Sequence, residues 1–270
     1  MALTARRFDV ARQIVKGALH HRLNGEAAKT AYYLFLSLFP LLLVAFAVTG
    51  LAGGHAVFDV VRRRLEQATP PDAGRYLEHF IREATERRRP DILSIGILLA
   101  LWTGSNIFTA LAQGLNRIYE IKDHRRWWRR RLICVGTLIA ALVLLLSGAV
   151  VLLAGGWIRD AAGLGPSWSV LRYPLAFVLL SLLMLLIYWV LPDRDQRRAS
   201  SSVVTGALVG TAVWFLATMG FDQYISHVKD YGRLYGFVGA VIVLLLWLYL
   251  TAYAILFGAQ VAAVLEQHRR

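Results

Sequence analysis

The chain predicts an all-α, polytopic membrane protein with six transmembrane helices plus short amphipathic interfacial helices, and three observations predict it. Of the 270 residues, 57% are hydrophobic and only 17% are charged, whereas soluble domains carry roughly 25% charged residues. The apolar residues gather into long blocks near the ~20 residues that a helix needs to cross a bilayer. Within the blocks, runs such as Leu142-Val143-Leu144-Leu145-Leu146 do not alternate with polar residues. Backbone in hydrocarbon can be satisfied only by helices or closed barrels, and barrel strands alternate, so helices are expected.

The elements follow in chain order within one transmembrane domain, 1–270. Phe8, Ala11, Val15, Ala18 and Leu19 recur at helical spacing, with Arg12, Lys16 and Arg22 on other sides and Asn24-Gly25 as a stop. Segment 1–30 is thus expected as a cytoplasmic amphipathic helix, lying in the membrane interface or packed as an ordinary surface helix. It has no apolar run of signal-peptide kind, and the first apolar span, from near Ala31, is too long for a signal core. The expected spans are 31–53, 92–112, 132–156, 171–191, 203–221 and 235–264. Between the first two, segment 54–91 holds eight arginines and seven acids. Its apolar residues Val57, Val61 and Leu65, then Leu77, Phe80, Ile81 and Ala84 beyond Pro70-Pro71, repeat at helical spacing. An extracytoplasmic amphipathic cap is the natural reading.

Six spans put both termini on one side. That side collects 18 of the 30 Lys/Arg and the other 12, eight of them in the nearly neutral 54–91 segment. The positive-inside rule then places both termini in the cytoplasm of a bacterial inner membrane. Arg125, Arg126, Arg129, Arg130 and Arg131 flank Trp127 and Trp128. Tryptophans anchor at headgroup level and clustered arginines attract anionic lipid, so these arginines are candidate anionic-lipid contacts or, with no ligand, a topology signal.

Polar residues in hydrocarbon usually face protein or a water-filled cavity. In the second span Trp102, Asn106, Thr109, Gln113, Asn116 and Glu120 are spaced 4, 3, 4, 3, 4, which places them on one helical face with Arg117 beside it. The stripe suits interhelical hydrogen bonding or the wall of a translocation path. Pro40 sits inside the first span, where a kink or break is expected, and joins the stripe as a candidate for the substrate path. Gly96, Ala100 and Gly104, and Ser202, Gly206 and Gly210, are small residues at i, i+4 spacing that allow close helix approach, within the chain or in a homo-oligomer. Asp222, Gln223, Tyr224, His227, Lys229 and Asp230 are expected as a short polar loop before the last span, which opens at Tyr231. The single cysteine, Cys134, excludes an intramolecular disulfide.

A net charge of +13 admits nucleic acid or the anionic leaflet as partner; the placement of the arginines at span ends favours membrane lipids, and no nucleic acid partner is expected. Nor is an enzyme. RNA hydrolysis needs clustered carboxylates or a convergent His pair; His20-His21 is merely adjacent, and the acids of 54–91 alternate with arginines. There is no Walker A loop. No catalytic residue, metal or cofactor is expected.

The segments Ala31–Pro40, Leu101–Ser105, Leu115–Tyr119, Leu191-Pro192 with the Gly206-containing span, Tyr235-Gly236, Trp247–Tyr249 and Gly258-Ala259-Gln260 together resemble the YihY / virulence factor BrkB family of bacterial inner-membrane proteins. The resemblance covers nearly the whole chain. It implies six helices with cytoplasmic termini. Members have carried the label ribonuclease BN, a misassignment on this reading, and some have been linked to lipid or solute export. The expectation is transport or export of a lipid-like or amphiphilic anion; the competing one is a non-transporting structural or partner-binding envelope protein.

Overall fold

The computed structural model describes residues 2–51, 90–153, 168–193, 200–227 and 231–268, and every regular element among them is a helix. In chain order these are α1 (Ala2–His20), α2 (Leu23–Leu51), α3 (Pro90–Ile118), α4 (Trp127–Leu153), α5 (Trp168–Val190), α6 (Ser200–His227) and α7 (Tyr231–Gln267). The expected cap falls outside the described residues except for Pro90 and Asp91, which open α3.

Four of the helices carry stretches long and apolar enough to cross a membrane: Trp127–Ala149, Leu171–Val190, Ser201–Ile225 and Val238–Gln267. The expected spans 31–53 and 92–112 fall on α2 and α3, and the described parts of those two do not establish a crossing. The outer faces of the four carry exposed apolar rows, such as Leu171, Val178, Leu182 and Trp189 on α5. Those four are 7, 4 and 7 residues apart and so lie along one side of the helix. Water would make such rows costly, and acyl chains do not.

The chain falls into two compact units, Met1–Leu34 with Ser105–Arg270, and Phe35–Gly104. In the first unit α7 packs on α6 and α1, and α5 on α4 and α6. The α6–α7 contact is a glycine seam. A Cβ on Gly206 would come within 2.6 Å of the Gly258 carbonyl and of Ala262, and one on Gly258 within 2.7 Å of the Gly206 carbonyl. Only hydrogen fits there, so the spacing read at Gly206 and Gly210 is used by α7 of the same chain. Tyr188 of α5 is fully buried beside this seam, and its hydroxyl donates to the Ile255 carbonyl at 2.6 Å. In the second unit α2 runs unbroken through Pro40. A Cβ on Gly96 would meet nothing within 4 Å.

Two local expectations are corrected. Asn24-Gly25 does not stop α1: the helix ends at His20, Arg22 turns into the left-handed region at φ 52°, and Asn24-Gly25 lie in the first turn of α2. The Arg22 carbonyl accepts from the Gly25 and Glu26 amides at 2.9 and 3.2 Å, so one residue closes α1 and opens α2. Asp222, Gln223, Tyr224 and His227 are not loop residues either; α6 continues through His227.

Candidate functional site: a basic cavity at the head of α4

The site, in the first unit, is built where α3 ends, α4 begins and α5 stops. α3 terminates in a Schellman turn, with the Ile121 amide on the Asn116 carbonyl at 2.8 Å and the Glu120 amide on the Arg117 carbonyl at 3.1 Å. The left-handed position falls to Glu120, at φ 55°, where glycine is the usual occupant. α5 stops because Pro192 follows its end and cannot donate a backbone hydrogen bond.

Arg125 joins the two ends. Its guanidinium donates to Asp193 Oδ1 at 2.9 Å and to the Leu191 carbonyl at 2.8 Å, while its side chain is only 8% exposed. It thereby caps α5, whose last carbonyls have no intrahelical donor. Asp193 accepts the His124 amide on Oδ2 at 2.9 Å, and its own amide donates to Asn116 Oδ1 at 3.0 Å. Each oxygen of the Asp193 carboxylate therefore has a partner inside the protein.

Around this corner lies a cavity of about 790 Å³ lined by His124, Arg125, Arg126, Trp128, Arg129, Ile133, Val190, Pro192 and Asp193. Three arginines face one aspartate, and Arg125 already matches that aspartate. Arg126 and Arg129 are exposed and have no ion pair among the described residues. The first turn of α4 contains no acid, so its open amides and dipole add to the same positive potential.

The five candidate lipid-contact arginines thus separate. Arg125, Arg126 and Arg129 line the cavity. Arg130 lies 3.8 Å from Asp123, and Arg131 turns inward to donate to Asn106 Oδ1 at 2.7 Å. The α3 stripe is distributed among neighbours in the same way. Thr109 Oγ1 donates to the Ser105 carbonyl at 3.0 Å and lies 3.6 Å from Cys134 Sγ. Gln113 accepts from Lys29 of α2 at 3.1 Å. Asn116 holds Asp193 and reaches Asp123 at 3.5 Å. Glu120 lies beyond the helix end, 3.6 Å from His21 Nε2, and the His21 ring meets Gln260 of α7 at 3.0 Å on Nδ1. Trp102, exposed, and Pro40 belong to the second unit. None of the stripe residues lines the basic cavity.

Sequence reasoning missed His124, Trp128, Ile133, Val190, Pro192 and Asp193 as parts of a site. The available signal was an acid directly after a span-ending proline, Leu191-Pro192-Asp193, at the membrane end that also holds the Arg125–Arg131 cluster. Among the described residues no group of three or more His, Cys, Asp or Glu is placed to hold a metal ion.

Comparison with known proteins bears on the whole chain. The family model described as Virulence factor BrkB matches residues 14–270. The chain is 28% identical over 258 residues to a protein of Bacillus subtilis (strain 168) named "Putative ribonuclease-like protein YfkH", covering 93% of this chain and 92% of that one. It is 27% identical over 266 residues to a UPF0761 membrane protein of Aeromonas salmonicida (strain A449), covering 93% and 87%. A UPF0761 membrane protein of Tolumonas auensis (strain DSM 9187 / NBRC 110442 / TA 4) is 28% identical over 257 residues, covering 92% and 82%. No solved structure matches.

Proposed function

The chain belongs to the virulence factor BrkB family of membrane proteins, and from that premise we propose that it carries a lipid-like or amphiphilic anion across the bacterial inner membrane. In this reading it crosses six times with both termini in the cytoplasm. The observation that supports it best is the cavity at the head of α4, which exposed Arg126 and Arg129 line together with Ile133, Val190 and Pro192. A lining that combines exposed arginines with apolar residues at a membrane-helix end suits a ligand with an anionic head and an apolar body.

Reconstituted vesicles test it. A fluorescent anionic lipid should become accessible to an impermeant quencher faster in proteoliposomes than in protein-free vesicles, and Arg126→Gln/Arg129→Gln should remove the difference. Equal rates with and without wild-type protein would contradict transport. Orientation is tested separately. Cys134 is buried, so a cysteine placed at position 270 is read against a quiet background. It should react with an impermeant reagent only after permeabilisation, and one at position 74 in intact spheroplasts.

A second reading, a structural or partner-binding membrane protein, draws on the α3 stripe. Asn106, Gln113 and Asn116 are all hydrogen-bonded to neighbouring side chains or backbone, as helix-joining residues would be. That reading predicts no flux and an unfolded or destabilised protein when the amides are removed.

A further inference from the structure

Trp128 does two things at once. It lines the basic cavity, and it heads the row Leu132, Ile139, Val143 and Leu146 along α4, all of them exposed. At about 100° per residue these five fall within roughly 60° of arc, so they form one stripe. On a helix of membrane-crossing length such a stripe meets acyl chains. Arg129 and Ile133, at i and i+4 on α4, line the cavity with Arg126, which directly precedes the helix, and Val190 and Pro192 line it from the end of α5. The lining therefore joins guanidinium groups to apolar side chains, and Trp128 is shared with the lipid-facing stripe.

The charges narrow the ligand further. Arg125 is held by Asp193 and the Leu191 carbonyl and acts as a fixed wall. Arg126 and Arg129 remain, two planar forks lining the same cavity. A carboxylate offers two oxygens and is filled by one fork. A phosphate monoester offers three acceptor oxygens and up to two charges, and takes both. The volume, about 790 Å³, lies in the range of sites for whole small molecules, about 300–1,000 Å³, which leaves room for a headgroup and the first carbons behind it.

We propose that this cavity is a lateral-entry site for a membrane lipid bearing a phosphate-monoester headgroup, with Arg126 and Arg129 binding the phosphate, Trp128 at the mouth and Ile133 and Val190 against the start of the chains. It rests on the reading of the ligand as an amphiphilic anion and names its class.

The test is binding, which stands apart from flux. The purified full-length protein in neutral detergent is titrated calorimetrically with dioctanoyl phosphatidic acid, dioctanoyl phosphatidylcholine and inorganic phosphate. Phosphatidic acid should saturate one site, with the other two at least about tenfold weaker, since one lacks the monoester and the other the chains. Arg126→Gln/Arg129→Gln should weaken phosphatidic acid by about tenfold or more. The charge-matched pair Arg12→Gln/Lys16→Gln, exposed on α1, should change it less than about twofold if attraction at a distance is screened. Ile133→Phe, which fills volume and keeps every charge, should also weaken it. Equal losses in both charge-matched pairs would reduce the site to diffuse attraction and overturn the proposal. Inorganic phosphate binding as tightly as the lipid would make it a soluble-anion site, and unchanged binding in Arg126→Gln/Arg129→Gln would place the lipid elsewhere. Binding without flux leaves this site standing and removes transport; flux without binding does the reverse.

Discussion

The polar stripe of α3 and the basic corner at the head of α4 are both polar surfaces on membrane-protein helices, and they differ in where their partners come from. Along α3, Asn106 accepts from Arg131, Gln113 from Lys29, and Asn116 from the Asp193 amide; each of these three amide oxygens has a partner within the protein. At the corner, Arg125 and Asp193 satisfy each other, while Arg126 and Arg129 are left exposed beside a cavity with no ion pair among the described residues. Polarity in an apolar setting is costly wherever it is unmatched. A group matched within the chain contributes to the fold; a charge left unmatched at a membrane end is available to a ligand.

Four variants sharpen or break that contrast. The largest effect is expected from Asp193→Ala, which removes the 2.9 Å partner of nearly buried Arg125, leaves it only Asp123 at 3.7 Å, and frees the end of α5. Removing one partner of a buried pair costs about 3–5 kcal/mol, and because Asp193 is partly exposed the lower end is expected in unfolding measured in detergent. A loss under about 1 kcal/mol would mean that the corner does not hold α5. Asn106→Leu comes next. It removes the 2.7 Å acceptor of Arg131, a charge-assisted bond worth about 1.5–3 kcal/mol, and should lower stability while leaving ligand binding at the corner intact. Arg126→Gln/Arg129→Gln should do the opposite, with stability within about 0.5 kcal/mol of wild type, as is usual for exposed sites. The smallest effect belongs to Glu120→Gly. It relieves a left-handed conformation that costs about 1–2 kcal/mol outside glycine, offset by the entropy glycine adds to the unfolded chain. A net gain of about 0.5 kcal/mol is expected; a clear loss would show that the 3.6 Å approach of Glu120 to His21 Nε2 matters more than the exposure of Glu120 suggests.

The fold was readable where a local pattern decides it. Apolar length placed α4 to α7, and the spacing of Gly206 and Gly210 announced the close approach that Gly258 completes. The α1–α2 corner was misread because turn chemistry pointed to Asn24-Gly25, while the left-handed residue is Arg22, held by packing that brings His21 onto Gln260, 239 positions away. The site was half readable. Periodicity put the stripe residues on one face, but no periodicity says whether a face meets protein, cavity or lipid. The arginine cluster was visible as a block, yet its division depended on Asp193 and Asn106, which lie 68 and 25 residues from the arginines they engage.

One measurement tests the contrast most directly: the thermal midpoint of the purified protein with and without dioctanoyl phosphatidic acid, for wild type, Asn106→Leu and Arg126→Gln/Arg129→Gln. A ligand that binds only the folded state raises the midpoint, through a stabilisation that grows as RT ln(1 + [L]/Kd). The account predicts a lower starting midpoint and a preserved ligand shift for Asn106→Leu, and an unchanged starting midpoint with the shift lost for Arg126→Gln/Arg129→Gln. A shift that survives in the arginine pair, or vanishes in folded Asn106→Leu, would contradict it.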